Sequence, residues 1–177
     1  MRGLPADARR GIRPRGVCAL RARSRAPHGG LPGRPHRLCK VLGLFRAARG
    51  SYSFDEATAA LSQVRIEIDT QSVFSNYAKR DQHLKSADFL NSAEFPRMVF
   101  TAANAKRTGE RSFEIAGQLE LLGRTQPLTL TATWNKSGPS PIDKAYIMGV
   151  SARGSFKRSA YGMRYGVDNG WVGERWR

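Results

Sequence analysis

The sequence predicts an all-β fold: an antiparallel up-and-down barrel, or most of one. Three observations favour it. Apolar and polar residues alternate along five successive segments between residues 64 and 156, these segments are close enough in sequence to form hairpins, and only one short helical segment interrupts them. A sheet that is apolar on one face and has so little helix to cover it must curl onto itself. At 177 residues, the chain can bury the core of one domain.

The first four predicted strands each carry apolar side chains on one face and polar ones on the other. The second strand, from Arg97 to Ala103, begins after Pro96, a residue that a strand tolerates at its first position. A turn is predicted over Gly123–Pro127, between the third and fourth strands. The residues predicted to face inward are Val64, Ile66 and Ile68; Met98, Phe100 and Ala102; Phe113, Ile115, Gly117, Leu119 and Leu121; and Leu128, Leu130, Ala132 and Trp134.

A short polar helix is predicted between the first two strands, beginning after Ser75 or Asn76, because both are good N-cap residues. Tyr77, Leu84 and Ala87 share one narrow apolar face. A stripe this narrow is typical of a lid or plug and not of a core helix.

A long final repeat places Tyr146, Met148, Val150, Ala152 and Phe156 on one face of a fifth strand. The sequence Asp168-Asn-Gly170 then predicts a tight turn.

The ordered region does not carry the residue patterns of a catalytic or metal site. Its only histidine is His83, and Asp81, two residues away on the helix, points to nearly the opposite face. One histidine without clustered cysteines or acids cannot hold a metal ion. The scattered glycines from Gly162 to Gly173 are typical of turns, not of a phosphate-binding loop. We therefore expect no cofactor.

The apolar face is the main candidate for function. An eight-stranded barrel either fills with its own side chains or holds one small ligand, and the pattern alone leaves both open. The small residues Ala102, Gly117 and Ala132 favour an elongated apolar tunnel among larger side chains, with Arg80 and His83 near a polar ligand head group at the lid. The predicted ligand-binding residues are Ile66, Ile68, Arg80, His83, Phe100, Phe113, Ile115, Leu119, Leu128 and Leu130.

Residues 1–37 differ from the rest of the chain in composition. They hold ten Arg, no Lys and one acid, Asp7, and so contribute +9 of the net +16. Rich in Arg, Gly, Pro and Ala and without periodicity, they predict a disordered segment. It is either a basic arm that binds polyanions loosely or the product of a wrong reading frame through G/C-rich DNA. If it is an arm, deleting it should remove salt-sensitive nucleic-acid binding.

Residues 38–177 are then the folded domain. Cys18 and Cys39 are expected to be free thiols. The longest apolar run near the N-terminus, Val41–Phe45, is too short for an export signal, and we expect no membrane-spanning helix.

Three motifs in order closely resemble the YceI-like family of bacterial proteins. They are Arg80-Asp-Gln-His-Leu-Lys-Ser-Ala-Asp-Phe89 with Phe95-Pro-Arg-Met-Val-Phe100, then Leu121-Leu-Gly-Arg-Thr-Gln-Pro-Leu-Thr-Leu130, and Phe156-Lys-Arg-Ser-Ala-Tyr-Gly-Met-Arg-Tyr-Gly166. The resemblance implies a lipocalin-like barrel that carries or sequesters an isoprenoid or similar long-chain lipid. It also implies a periplasmic location and no established catalytic residues. For partners we expect the lipid and no specific nucleic acid, with transient membrane contact possible. An enzyme acting on a lipid with His83 as base is the alternative.

The chain departs from the family pattern at both ends. A first strand is expected before Lys40, where the Arg-rich segment stands, and a last apolar strand is expected after Glu174. We therefore expect a barrel that is incomplete at its first and last strands, with a leaky pocket, bare edges and low solubility. Size-exclusion chromatography tests this, because a sharp and stable monomer peak would contradict it. The ligand and the oligomeric state do not follow from the sequence.

Overall fold

The fold is mostly β-strand. A computed structural model describes residues 22–26, 39–55, 58, 60–142, 144, 146–170 and 172–176. The strands of the first half are β1 Ala22–Ala26, β2 Cys39–Phe45, β3 Ala48–Asp55, β4 Ala60–Asp69 and β5 Val73–Phe74. Helix α1, Ala78–Lys85, follows. The remaining strands are β6 Arg97–Asn104, β7 Lys106–Arg107, β8 Ser112–Leu121, β9 Arg124–Pro139, β10 Tyr146–Arg153, β11 Phe156–Lys157 and β12 Arg175–Trp176, with 3-10 helices at Thr70–Ser72 and Arg158–Tyr161.

The main sheet is an antiparallel meander, which confirms the predicted all-β, up-and-down class. Its strand order is β10-β9-β8-β6-β4-β3, and the short strand β7 also pairs with β8. β1, β2 and β5 form a smaller sheet, and β11 pairs with β12. Within the described residues β3 and β10 do not pair with each other, so the sheet is a curled half-barrel.

The predicted alternation is confirmed in β4, β6, β8 and β9. Met98, Phe100 and Ala102 are buried while Arg97 and Thr101 are exposed. One irregularity was not predicted: Gln63 has a φ of 51°, and the pairing of β3 with β4 shifts its register there. Such a bulge adds a residue to one strand, which is why both Leu61 and Val64 face the core.

The start of the helix was wrongly predicted. Its N-cap is Tyr77, which makes no side-chain cap hydrogen bond, and the predicted cap Ser75 bonds to the Asp81 and Arg80 side chains instead. The predicted apolar stripe is also wrong: Tyr77 and Ala87 are exposed and only Leu84 packs against the core. The helix lies against β5 and buries no residue of its own.

The predicted turn after β8 is shorter than expected. Only Leu122 and Gly123 form it, with φ values of 53° and 66°, and β9 begins at Arg124. Positive φ at both central residues gives a turn whose twist matches that of the strands. Pro127 lies inside β9 opposite Gln118, in the part of β9 that precedes its pairing with β10. A proline is tolerated there because its missing N–H costs no ladder hydrogen bond.

The predicted long final strand is divided in two. β10 ends at Arg153, and its register shifts between Gly149 and Val150, so that Val150 and Ala152 are exposed instead of facing inward. Phe156 belongs to β11 and pairs with Trp176. The turn predicted at Asp168–Gly170 is confirmed.

The segment predicted to be disordered, 1–37, lies outside the described residues except for β1. Residues Ala22–Ala26 pair with β2 from Ala22↔Gly43 to Ala26↔Cys39. The prediction that Cys18 and Cys39 are free thiols is not tested, because Cys18 also lies outside the described residues. The division into a leading segment and a domain over 38–177 stays a prediction.

Candidate functional site

The apolar face predicted to bind a ligand lines the inside of the curl. Five of its members, Ile68, Phe100, Phe113, Ile115 and Leu119, are between 2% and 4% exposed. Ile66, Leu128 and Leu130 are half-buried and pack against this core. Eight of the ten predicted ligand-binding residues therefore share one surface.

The expected tunnel is filled beside Gly117. A Cβ atom at this position would lie 2.6 Å from Phe100 Cζ and 2.9 Å from Ala102 Cβ. The Phe100 ring thus occupies the space that the glycine leaves. Likewise, a Cβ at Gly154 would lie 2.4 Å from Leu130 Cδ2. Small residues admit the neighbouring side chains here, so the interior at these two positions is packed by the protein's own side chains.

One side chain joins the two sides of the curl. The Phe54 ring, on β3, lies 6.3 Å from that of Phe113 on β8 and 5.3 Å from that of Trp134 on β9, in both cases edge to face. β3 is at one end of the main sheet and is separated from β8 by two strands, β6 and β4. The inside of the curl is therefore closed at this level by ring contacts between separate parts of the sheet.

A groove of about 670 Å³ crosses β4, β6, β8 and β9 at one level. Most of its lining side chains are exposed and alternate with the buried ones, so they belong to the outer face; they include Thr101, Ala103, Ala116, Gln118 and Thr129. Of the ten predicted ligand-binding residues, only Leu128 lines it.

The two polar residues predicted at the ligand head group are engaged by the protein. Arg80 donates from Nε to Ser75 Oγ and from Nη2 to the Ser75 carbonyl, both at 2.7 Å. The Asp81 carboxylate accepts from the Ser75 N–H at 2.8 Å and from the Ser75 hydroxyl. These contacts fix the chain ahead of the helix in place of a side-chain cap.

His83 pairs with Asp88, not Asp81. Its Nε2 lies 2.9 Å from Asp88 Oδ2, and its ring packs edge to face on Phe89 and Tyr165 at 5.0 and 4.7 Å. The Asp88 contact ties the helix to the segment that follows it, and the Tyr165 contact links the helix to the chain after β11. In the described part of the chain, no three His, Cys, Asp or Glu side chains gather as a metal site would require.

A second pocket, of about 330 Å³, lies between α1 and β5. Sequence reasoning missed its two cations, Arg46 and Lys85, because they come from distant segments. Its other lining residues are Gln71, Ser72, Val73, Phe74, Ala78, Asp81 and Gln82. One signal was present in the sequence: Ala78, Asp81, Gln82 and Lys85 have the spacing of a single helical face.

Arg158 is a further polar residue whose burial was not predicted. Its side chain is fully buried, with Nε donating to the Gly173 carbonyl at 2.9 Å and Nη2 to the carbonyls of Tyr165 at 2.6 Å and Val172 at 3.3 Å. Burial lowers the pKa of this guanidinium, while the charge of Glu174 opposes the shift. Arg158 thus ties the loop before β12 to the 3-10 helix. The only signal for Arg158 in the sequence was its position within the Phe156–Gly166 motif, which does not indicate burial.

Among the described residues, no helix has the length and apolarity needed to cross a bilayer.

Comparison with known proteins identifies similar chains. A sequence profile of the YceI-like domain matches residues 34–177. A UPF0312 protein of Pseudomonas savastanoi pv. phaseolicola is 34% identical over 124 residues, which is 70% of this chain and 64% of that protein. The chain therefore spans less than two thirds of that relative.

Solved structures share the fold. A Campylobacter jejuni YCEI protein superposes with a TM-score of 0.69 at 23% identity, covering 81% of this chain and 85% of that one. A polyisoprenoid binding domain from Saccharophagus degradans, implicated in plant cell wall breakdown, superposes with a TM-score of 0.52 at 13% identity, covering 89% and 87%.

Proposed function

The chain belongs to the YceI-like domain family, and from that premise we propose that it binds a long-chain amphiphile of the isoprenoid type inside the curl of its sheet. It acts as a carrier or a sequestering protein, with no chemistry of its own. The observation that carries the proposal is the apolar surface shared by β4, β6, β8 and β9. The polyisoprenoid binding described for the Saccharophagus degradans domain, which has the same fold, supports it.

The hydrocarbon tail would lie among the eight predicted interior residues. Ile66, Leu128 and Leu130 are the half-buried members of that surface, and we propose that the tail enters beside them. Arg80 and His83 belonged to the predicted site as head-group residues. Because Ser75 and Asp88 hold them, their part in the proposal requires these contacts to exchange for ligand contacts.

The ring contacts that close the interior contribute little free energy compared with the burial of a long hydrocarbon tail. An aromatic pair contributes about 0.5–1.5 kcal/mol beyond its buried area, so separating Phe54 from Phe113 and Trp134 costs on the order of 1–3 kcal/mol in ring contacts. Each buried methylene contributes about 0.8 kcal/mol. A few carbons of the tail therefore offset the loss of these ring contacts.

Native mass spectrometry of the full chain tests the proposal. The protein is delipidated, incubated with geranylgeraniol and transferred at low activation energy. We expect a complex at the mass of one added lipid. Leu130→Trp should lower its occupancy about tenfold, because a larger side chain fills the margin of the interior.

Val99→Trp is the matched control, because Val99 lies on the opposite face of β6 from the buried Met98 and Phe100. Circular dichroism verifies that both variants fold. An absent complex in the unmodified chain, or equal occupancy in both tryptophan variants, would contradict binding inside the curl.

For the location of the protein we propose the periplasm, as the family resemblance implies. Osmotic-shock fractionation of bacteria that express the gene from its own locus checks it. Recovery of the protein with cytoplasmic markers would contradict this part of the proposal.

A further inference from the structure

The pocket between α1 and β5 has one wall formed by a single face of the helix. Ala78, Asp81, Gln82 and Lys85 follow the i, i+3, i+4, i+7 spacing that places side chains on one side of a helix. This wall contributes Lys85 and Gln82 to the lining of the pocket.

Arg46 lines the pocket from a different segment, between β2 and β3. Its backbone N–H donates to the Ser72 carbonyl at 3.1 Å, and its guanidinium lies over the Phe74 ring, 5.2 Å from the centroid. Stacking uses the flat face of a guanidinium, whereas its N–H donors project from the edge in the plane of the group. The ring therefore orients Arg46 without consuming its donors.

The charges that line the pocket leave a positive excess. Arg46 and Lys85 carry +2, Asp81 carries −1, and Oδ1 of Asp81 accepts the two hydrogen bonds from Ser75. The Gln71 and Gln82 amides add neutral donors. Two cations, two amides and a volume of about 330 Å³ suit a compact anion with several acceptor oxygens.

We infer that this pocket is a binding site for a phosphate group, supplied either by free phosphate or by a lipid head group at a membrane surface. Arg46 offers the bidentate edge that phosphate oxygens match, and Lys85 adds a point charge. None of the residues that line this pocket is among the ten predicted ligand-binding residues, so the site is separate from the proposed place of the hydrocarbon tail.

Two probes distinguish the two sources. Isothermal titration calorimetry with inorganic phosphate measures binding of the free anion. Sedimentation with vesicles of phosphatidylglycerol, compared with vesicles of phosphatidylcholine, measures binding of a lipid phosphate. The test variant is the full chain with Arg46→Gln and Lys85→Gln. The control, with Lys79→Gln and Arg153→Gln, removes the same charge from exposed residues outside the pocket.

We expect the test variant to bind its probe at least about tenfold more weakly than the unmodified chain, and the control to change by less than about twofold. Loss of phosphate binding alone identifies free phosphate as the ligand. Loss of binding to phosphatidylglycerol vesicles identifies a lipid head group. The inference is overturned if neither probe binds the unmodified chain, or if both variants lose binding equally. Geranylgeraniol binding is independent of either result, so this inference and the proposed function fail separately.

Discussion

Gly117 is the position where a single methyl group should disturb the sheet most clearly. A Cβ atom there would lie 2.3 Å from the Thr101 carbonyl oxygen and 2.6 Å from Phe100 Cζ. The Phe100 ring can rotate away, but the carbonyl belongs to the backbone of β6, which pairs with β8 from Val99↔Glu120 to Thr101↔Gln118. In Gly117→Ala the two strands must therefore separate at the end of this ladder.

Overpacking of this kind destabilises the folded state by about 1–3 kcal/mol. Alanine also lowers the conformational entropy of the unfolded chain, which stabilises the folded state by about 0.4–1 kcal/mol. We expect Gly117→Ala to lower the free energy of unfolding by about 1–2 kcal/mol. For a chain of this length, that lowers the melting temperature by about 2–8 °C, at roughly 2–4 °C per kcal/mol.

Urea unfolding followed by circular dichroism measures the change. Gly109→Ala is the control, because its Cβ would meet Ser112 Cβ at 3.6 Å, an ordinary contact. If the two variants unfold at the same urea concentration, the close approach of β6 to Gly117 is not as described, and the account of how Phe100 fills the interior fails with it.

Two further predictions concern charged residues. Arg158→Leu should lower the free energy of unfolding by about 1–3 kcal/mol in thermal melts, since it removes the donor shared by three backbone carbonyls; the exposed Arg164→Leu should change it by less than about 0.5 kcal/mol, and similar losses would refute the role of Arg158. Hydrogen bonds from Arg65 and Arg49 hold the pKa of Glu67 below its ordinary value of 4.5. Since the folded pKa is the lower one, the stabilisation is complete above pH 4.5 and is lost as pH falls through the folded pKa. Stability measured between pH 6 and 3 should thus decline less in Glu67→Gln than in the unmodified chain, and parallel declines would contradict this.

The strands could be predicted because alternation has a period of two, which a buried face imposes on the sequence directly. Irregularities carry no such period. The bulge at Gln63 and the register shift after Gly149 alter which residues face inward, and no local signal marks either of them. The prediction of the helix start was wrong for a different reason. Serine is a favoured N-cap residue, but Ser75 forms hydrogen bonds with the Arg80 and Asp81 side chains instead.

The candidate site was predictable in its location but not in its shape. Alternation identifies Phe100 and Gly117 as inward residues, yet whether the space beside Gly117 stays empty depends on the rotamer of Phe100 and on how closely β6 approaches. The pocket lined by Arg46 and Lys85 depends on two elements that are far apart in sequence. Such a pair becomes visible only when the chain is folded.

The two-residue connection at Leu122–Gly123 has a consequence for the order in which the molecule assembles. β8 and β9 pair in ten consecutive positions, from Leu121↔Arg124 to Ser112↔Thr133. Among the strand pairs of the described residues, this one is joined by the shortest connection. Hairpins of this kind form in about 1–10 μs, whereas the β4–β6 pairing must wait for the intervening helix and its loops to close. This hairpin is therefore the natural template on which the remaining strands add.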